Sequence, residues 1–282
     1  MPPSSSKPLS GRVALVTGAN TGIGLVTARK LASGGAHVFI ACRSPERAQP
    51  ALAHIKAASG NTQVELLPLD LGDFDSVRQC ARSFLARSLP LHLLVNNAGV
   101  GGARGLTRSG FELAFGVNHM GHFLLTQLLL DRIKASAPAR IVTVASRAHY
   151  RARGLNWEAL RKPTRGLAMA AYSNSKLANV LFSAELGRRL AGSGLTTYSL
   201  HPGVVASDIW RRLPWPLRGL IKLGMIGTEE GAATSLYCAT SPEVDLETGL
   251  YYDQCRAKTP SWAARDQILA ADLWRQSEHW AA

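Results

Sequence analysis

The fold of this chain is decided at Thr17-Gly18-Ala19-Asn20-Thr21-Gly22-Ile23-Gly24, which follows an apolar run, Val13–Val16, and opens an apolar-periodic segment, Ile23–Leu31. A strand that turns sharply into a helix leaves the first N–H groups of the helix unpaired, and these donors lie at the positive end of the helix dipole. Glycine lets the backbone approach a pyrophosphate without an intervening Cβ. The stretch therefore predicts a phosphate-binding loop, although the same glycines also suit a tight structural turn.

Apolar runs alternate with helical patterns along the rest of the chain. The further strand-like runs are His37–Ala41, Gln63–Leu67, His92–Asn96, Arg140–Ala145 and Thr196–Leu200. The helical patterns are Gly22–Ser33, Pro45–Ala58, Asp73–Ser88, Gly110–Ala135, Leu167–Ala191 and Glu229–Ala239. Runs that are apolar on both faces suit a parallel sheet covered by helices on each side. We predict an α/β fold: a single doubly wound Rossmann-type domain with a central parallel sheet flanked by helices, over residues 11–282, after a flexible tail over residues 1–10.

Composition limits the class of protein. The chain has 282 residues, 46% of them apolar, and 32 basic against 19 acidic residues give a net charge of +13. The basic residues are scattered, without a nucleic-acid-binding motif or interleaved aromatics, so we expect no nucleic-acid partner. The four cysteines lack metal-ligand spacing, which predicts no metal site and a reducing compartment. No apolar run is long enough to span a membrane, so we expect a cytoplasmic protein.

The residues after the second strand indicate which dinucleotide would bind. Ligands of such a sheet bind beyond the carboxyl ends of its strands, and an acidic residue after the second strand grips a free ribose 2′-hydroxyl. Residues 25–45 contain no Asp or Glu, and Arg43 stands where the second strand ends. A guanidinium favours a 2′-phosphate through paired, charge-assisted hydrogen bonds. We therefore predict NADP(H), the alternative being that Arg43 is an ordinary solvated side chain.

Two further strand ends each allow two interpretations. The Asp70 carboxylate could accept a hydrogen bond from an adenine amino group, or it could cap the helix that begins near Asp73. Residues Asn97-Ala98-Gly99 could form a small-residue floor under the adenine ribose, or a turn in the left-handed region. The presence of the glycine loop favours the floor.

Tyr172 and Lys176 lie four residues apart in a helical pattern, which places them on one face. An adjacent ammonium and a cationic nicotinamide ring would favour the phenolate of a tyrosine whose ordinary pKa is about 10. Tyr172 could then exchange a proton with a substrate oxygen during hydride transfer, while Lys176 holds the nicotinamide ribose. The same pair is also common on helix surfaces without a function.

Two polar residues could complete such a site. Ser146 ends the fifth strand, where its hydroxyl could hold a substrate carbonyl oxygen or form an N-cap. Asn118 falls inside the predicted Gly110–Ala135 helix, where it could bend the helix and anchor a water that leads to Lys176. The alternative for Asn118 is an amide whose hydrogen bonds are satisfied by a neighbouring loop.

These motifs occur in the order found in the short-chain dehydrogenase/reductase family, which the chain resembles from about Gly11 to beyond Tyr252. They are Thr-Gly-x3-Gly-x-Gly at 17–24, Asn-Asn-Ala-Gly at 96–99, Asn118, Ser146, Tyr172-x3-Lys176 and Pro202-Gly203. The resemblance implies a catalytic group of Ser146, Tyr172, Lys176 and Asn118. It also implies cofactor binding by Gly18, Asn20, Thr21, Gly22, Ile23, Gly24, Arg43, Asp70, Leu71, Asn97, Ala98, Gly99, Tyr172, Lys176, Pro202, Gly203, Val205 and Ser207.

Several longer stretches of the sequence resemble those of NADP-preferring retinol dehydrogenases. The matching stretches are Ala41-Cys42-Arg43, the 116–123 stretch Gly-Val-Asn-His-Met-Gly-His-Phe, the 175–179 stretch Ser-Lys-Leu-Ala-Asn, and the 197–203 stretch Thr-Tyr-Ser-Leu-His-Pro-Gly. Those enzymes usually carry an N-terminal membrane anchor, where this sequence predicts a tail. Tyr172-Ser173-Asn174 replaces their Tyr-Cys-His. The resemblance therefore implies their reductase chemistry but does not extend to their specificity for retinoids.

The resemblance also directs attention to the substrate and to partners. By analogy, residues 207–228 form a substrate lid, whose 209–223 part mixes Trp and Leu with basic residues and could also touch a membrane surface. The helices predicted at Gly110–Ala135 and Leu167–Ala191 could pair across a two-fold axis in a homo-oligomer, as they do in the family.

We therefore predict an NADP(H)-dependent oxidoreductase that interconverts a lipophilic aldehyde or ketone and its alcohol. The alternatives are a non-catalytic NADP-binding regulatory or scaffold protein and, less favoured, a reductase of a tetrapyrrole double bond.

Overall fold

In a computed structural model, the described residues, 7–164, 168–203 and 227–282, fold around one sheet. Its strands are β1 (Val13–Thr17), β2 (His37–Cys42), β3 (Val64–Pro68), β4 (Leu93–Asn96), β5 (Ala139–Val144), β6 (Leu195–His201), β7 (Leu250–Asp253) and β8 (Arg256–Ala257). Their order is β3-β2-β1-β4-β5-β6-β7-β8, with β8 antiparallel to β7 and the other pairs parallel. The prediction of a doubly wound parallel sheet is confirmed.

Helices cover both faces of this sheet. They are α1 (Gly22–Ser33), α2 (Pro45–Ser59), α3 (Phe74–Leu85), α4 (Leu113–Phe115), α5 (Gly121–Lys134), α6 (Ala168–Arg189), α7 (Thr228–Thr240) and α8 (Gln267–Ala281). One apolar core lies between the sheet and α1, α2 and α7, and another lies between the sheet and α3, α5, α6 and α8. Leu15 of β1 contributes to one core and Val16 to the other, and both side chains are fully buried. An apolar strand with two buried faces therefore takes the centre of the sheet.

The helix predicted at Gly110–Ala135 begins three residues later and contains a π turn, Gly116–Met120, between α4 and α5. Gly110 has a φ of +78°, which excludes it from a helix, and the Glu112 side chain accepts a hydrogen bond from the Phe115 N–H at the helix start. A Cβ on Gly121 would lie 2.3 Å from the Leu71 carbonyl oxygen. The helix therefore lies directly against the loop that follows β3, at the edge where ligands bind.

Part of the predicted N-terminal tail is packed against the domain. Residues 1–6 lie outside the described part, but the Leu9 N–H donates to the Gly34 carbonyl at 2.8 Å. A Cβ on Gly34 would lie 2.9 Å from Leu9 Cδ1, so the leucine rests on the end of α1. The apolar side chain of Leu9 therefore packs residues 7–10 against the domain. The composition of this segment had predicted a flexible tail.

The sequence patterns missed β7, β8 and α8. β7 is short, and the two-residue turn at Gln254 and Cys255 has φ values of +53° and +57° without the glycine that usually marks such a hairpin. α8 is capped by Asp266, whose carboxylate accepts from the N–H groups of Ile268 and Leu269. The chain after α7 therefore forms two strands and a helix that the sequence patterns did not predict.

α8 covers the two helices that were predicted to pair across a two-fold axis. Trp274 packs against Phe123 of α5, with ring centroids 5.2 Å apart, and stacks on Phe182 of α6 at 6.0 Å. The Arg189 guanidinium lies over the Trp274 ring, 4.4 Å from its centroid. These apolar side chains are thus buried within one chain, and the pairing of α5 and α6 in a homo-oligomer stays a prediction.

We expect Trp274→Ala to lower the free energy of unfolding by about 3–5 kcal/mol, because it removes a buried indole between α5 and α6. Trp262→Ala is the matched control: that side chain is 62% exposed, and its loss should change stability by no more than about 0.5 kcal/mol. Urea denaturation followed by circular dichroism measures both. Equal, small effects of the two substitutions would contradict the docking of α8.

Candidate active site

A cavity of about 770 Å³ opens at the carboxyl edge of the sheet. Every predicted cofactor residue that the structure describes, from Gly18 to Gly203, lines it. Val205 and Ser207 lie outside the described residues, as does the predicted lid up to residue 226. The strand ends therefore meet around one cleft, as the doubly wound topology requires.

The glycine loop is closed by contacts that leave no room for side chains. Gly18 has a φ of +66°, its N–H donates to the Ala41 carbonyl at 2.8 Å, and a Cβ on it would lie 2.9 Å from the Ala98 Cα. A Cβ on Gly24 would lie 2.4 Å from Asn97 Nδ2. The first turn of α1 carries no acidic residue, so the positive end of its dipole faces the cavity without a neutralising carboxylate. This cradle fits a pyrophosphate.

The end of the cleft next to β2 is basic. Arg43 and Arg47 are both exposed and line the cavity, and among the described lining residues Asp70 is the only carboxylate. The Asp70 Oδ1 accepts from the Gly72 N–H at 2.9 Å, while Asp73 caps α3 by accepting from Asp75. Asp70 is therefore not the helix cap that one interpretation proposed.

The β4 loop is held by Thr17 at the end of β1. The Thr17 Oγ1 accepts from the N–H groups of Asn97 at 2.9 Å and Ala98 at 3.0 Å, and Asn97 Nδ2 donates to the Thr17 carbonyl at 2.8 Å. None of the residues Asn97-Ala98-Gly99 has a positive φ. The segment is thus no left-handed turn, and it forms part of the cavity floor.

Tyr172 and Lys176 share the cavity-facing side of α6. The Lys176 Nζ lies 5.7 Å from the centroid of the Tyr172 ring and donates to the Val144 carbonyl at 2.8 Å. Burial lowers the pKa of Lys176 to about 7. Burial also raises the pKa of Tyr172, against the lowering effect of a hydrogen bond from the Ser146 side chain. In the chain by itself Tyr172 is therefore held protonated, and a phenolate would need the added positive charge of a bound cofactor.

Ser146 forms the N-cap that was one of its two predicted roles, and its hydroxyl also lies beside Tyr172. Its Oγ accepts from the Ala148 N–H at 3.1 Å, which caps the short 3₁₀ turn Arg147–Arg151, and its side chain is hydrogen-bonded to that of Tyr172. The His149 Nδ1 lies 2.6 Å from the Ser146 carbonyl oxygen and fixes the backbone of the turn. The hydroxyl is thus placed beside the phenol at the cavity wall.

Asn118 lies in the π turn, fully buried behind the cavity. Its Oδ1 accepts from the Val100 N–H at 2.8 Å, and its Nδ2 donates to the Val100 carbonyl at 3.0 Å and to Ser175 Oγ at 2.9 Å. The Ser175 hydroxyl in turn donates to the Tyr172 carbonyl at 2.7 Å. The amide therefore makes hydrogen bonds with the backbone of the loop at Val100 and also links that loop to α6.

Several contributors to the site are backbone groups or side chains that residue patterns did not single out. The carbonyl of Val144 and the backbone of Val100 could not be foreseen, because any residue type supplies them. Ser175 is different, since it stands one residue before Lys176 within the quoted motif and repeats the helical spacing from Tyr172.

The described residues contain no group of three or more His, Cys, Asp or Glu side chains arranged to hold a metal ion. None of their helices has the length and apolarity needed to cross a membrane.

The fold and the residues around the cleft define a short chain dehydrogenase. The model of that family, described as "short chain dehydrogenase", matches residues 12–215, and the chain belongs to this family of nicotinamide-dependent oxidoreductases. It is 46% identical to Retinol dehydrogenase 11 of Mus musculus over 274 residues, which cover 96% of this chain and 86% of that protein. It is also 46% identical to Retinol dehydrogenase 12 of Homo sapiens, over 95% of this chain and 86% of that protein.

Solved structures show the same fold. An uncharacterised protein from Mycobacterium paratuberculosis is 34% identical, with a TM-score of 0.79 and coverage of 99% of this chain and 96% of that chain. The RhlG/NADP active-site complex of Pseudomonas aeruginosa is 29% identical, with a TM-score of 0.69 and coverage of 89% and 97%. A 3-ketoacyl-(acyl-carrier-protein) reductase from Brucella melitensis complexed with NADH is 25% identical, with a TM-score of 0.67 and coverage of 87% and 97%.

The low pKa of Lys176 has a consequence for stability without cofactor. Between pH of about 7 and about 10.5 the unfolded chain binds a proton at Lys176 that the folded chain does not, so stability rises with pH across this window. We expect the free energy of unfolding of the wild type to increase relative to Lys176→Met as pH rises through it. Urea titrations at several pH values measure the difference.

The matched control is Lys134→Met, because the Lys134 ammonium on α5 is exposed to water. Its difference from the wild type should stay constant over the same range. A Lys176→Met difference that also stayed constant would contradict the buried, partly neutral state of Lys176.

Proposed function

We propose that this chain is an NADP(H)-dependent oxidoreductase that interconverts a lipophilic aldehyde or ketone and its alcohol. The observation that carries the proposal is the meeting of Ser146, Tyr172 and Lys176 in the same cavity that the glycine loop lines. Membership of the short chain dehydrogenase family and the similarity to proteins named retinol dehydrogenase support carbonyl and alcohol chemistry.

When bound, the cofactor supplies or accepts a hydride at the carbonyl carbon. In the reductive direction the Ser146 hydroxyl donates a hydrogen bond to the carbonyl oxygen. The Tyr172 O–H transfers its proton to that oxygen as the π electrons of the carbonyl move onto it. Burial keeps Tyr172 protonated before the reaction, and the nearby Lys176 ammonium stabilises the phenolate that remains. Asn118 positions Tyr172 indirectly, because it donates to Ser175, which donates to the Tyr172 carbonyl.

The preference for NADP(H) rests on the chain's own residues, because the similar solved structures include complexes with NADP and with NADH. Arg43 and Arg47 reach the cavity from the start of α2, where no carboxylate lines it. A 2′-phosphate there would receive charge-assisted hydrogen bonds, whereas a free 2′-hydroxyl would meet no acceptor from an acidic side chain. Asp70 would accept from the adenine amino group.

The walls of the cleft include apolar and basic side chains besides the predicted catalytic residues. Apolar lining comes from Leu113, Val117, Ala148 and Met169, and basic lining from Arg147 and Arg151 of the turn after Ser146. The predicted lid, residues 207–228, lies mainly outside the described part. The apolar walls favour a lipophilic carbonyl compound, and a retinoid is one candidate because of the names of the relatives. Cytoplasmic location and membrane contact through residues 209–223 stay predictions.

We expect Tyr172→Phe to lower kcat at least about 100-fold, because loss of a positioned proton donor removes general acid catalysis. The dissociation constant for NADPH should change less than about threefold, since the phenyl ring is retained (about 0.65 kcal/mol). NADPH oxidation with a panel of retinal, medium-chain aldehydes and steroids measures kcat, and fluorescence titration measures binding.

Tyr237→Phe controls for loss of a phenol, because the hydroxyl of this α7 residue donates to Glu243 and neither residue lines the cleft. It should keep wild-type activity. A wild type that binds NADPH but reduces no carbonyl of the panel would contradict the enzymatic proposal and favour a regulatory protein. Full activity of Tyr172→Phe would contradict its role as proton donor.

We expect Arg43→Asp to shift the ratio of kcat/KM for NADPH over NADH towards NADH by about 10- to 100-fold, because a charge-assisted contact to phosphate is replaced by repulsion. Arg82→Asp on α3 makes the same change of charge at an exposed residue that does not line the cavity. Initial rates with the two cofactors give the ratio for each variant. An unchanged ratio in Arg43→Asp would remove Arg43 from cofactor selection.

A further inference from the structure

His122 on α5 lies between the cofactor side and the predicted catalytic side of the cleft. The side chain is 1% exposed. Its Nε2 lies 2.8 Å from the Thr17 Oγ1, and its Nδ1 lies 3.0 Å from the Asn118 carbonyl oxygen. Both ring nitrogens are therefore bonded, and they are bonded to two different parts of the site.

The surrounding donors decide which tautomer this histidine adopts. The Thr17 hydroxyl already accepts from the Asn97 and Ala98 N–H groups, which occupies both of its lone pairs. Its single proton is then donated to His122 Nε2 at 2.8 Å, which is nearer than the Val95 carbonyl oxygen at 3.4 Å. The Nδ1 must carry the other hydrogen, because it faces the Asn118 carbonyl oxygen, which can only accept. Burial lowers the pKa of His122 to about 4, so the ring is neutral at physiological pH.

Each end of this bridge continues into a functional part of the site. On the Thr17 side, Asn97 and Ala98 form the cavity floor, and Ala98 lies against Gly18 of the glycine loop. On the other side, Asn118 binds Val100 and Ser175, and Ser175 binds the Tyr172 carbonyl. A continuous series of hydrogen bonds thus leads from the end of β1 to the backbone of the predicted proton donor.

We propose that His122 is a positioning residue, which sets the π turn at Asn118, and through it Tyr172, relative to the cofactor loop. The proposal rests on the proposed function insofar as Tyr172 is the proton donor. Its physical basis is the rigid ring, which donates on one side and accepts on the other, at distances that a flexible or apolar side chain would not hold together. The bridge acts on geometry, because His122 is not among the residues that line the cavity.

His119, three residues earlier, provides a matched control in the same turn. It is equally buried, but its Nε2 is bonded to Ser277 Oγ of α8 at 3.1 Å and its Nδ1 has no partner. It packs among the rings of Phe115, Phe123 and Phe182, so a phenylalanine fits its surroundings. Replacing either histidine removes a buried imidazole, yet only His122 joins the two sides of the cleft.

The experiment compares His122→Phe, His122→Gln and His119→Phe in the full chain. We expect His122→Phe to lower kcat about 10- to 100-fold, because a small misplacement of the reacting groups has an effect of that order. The KM for the carbonyl substrate should change less than about threefold, as expected when ground-state binding is kept. His122→Gln, which can both donate and accept, should recover part of kcat. His119→Phe should keep kcat even where it lowers the melting temperature.

A second measurement does not depend on turnover. In protein labelled with ¹³Cζ-tyrosine, the Tyr172 signal is assigned by its absence in Tyr172→Phe. We expect this signal to shift in His122→Phe, with and without NADPH, and to stay in place in His119→Phe. An unmoved Tyr172 signal in His122→Phe, or equal effects of the two phenylalanine variants on kcat and on the signal, would overturn the positioning role. Absence of turnover in the wild type would contradict the proposed function alone, because the signal still reports on the bridge.

Discussion

The hydroxyl group of Thr17 is the interaction on which the site depends. It stands at the end of β1, in the middle of the sheet, and accepts the N–H groups of the β4 loop while contacting His122 of α5. Three segments that are distant in the chain are thereby held by one fully buried oxygen. A buried hydroxyl with all of its hydrogen bonds made fixes geometry closely, because each lost bond would leave a polar group unsatisfied.

The two ends of the cleft differ in charge and in burial. The end next to β2 and the start of α1 presents arginines and a helix start without acidic residues, which suits an anionic ligand. The other end holds Lys176, whose ammonium group is buried and donates to the Val144 carbonyl, so burial depresses its pKa. An anionic cofactor beside this ammonium would favour the charged form again, which couples the binding of cofactor to the protonation of the group next to Tyr172.

The C-terminal part of the chain completes the domain that the earlier elements begin. α8 covers the apolar sides of α5 and α6, and these are the helices that carry the π turn and the Tyr172 and Lys176 pair. Their packing by Trp274 therefore supports the site from behind. The residues that face the cleft can stay polar because the stabilising apolar contacts lie on the opposite sides of the same helices.

Local patterns were sufficient for the fold class and the glycine loop, and the resemblance to a known family added the other predicted residues that line the cleft. Apolar runs, glycines and helix signals act over a few residues, and strand ends meet at one edge of a parallel sheet whatever the details. The single hydrogen bonds of Asn118, the tautomer of His122 and the docking of Trp274 depended on partners far away in sequence. Only the tertiary structure decided these, because burial and the position of each partner arise when the whole chain is packed.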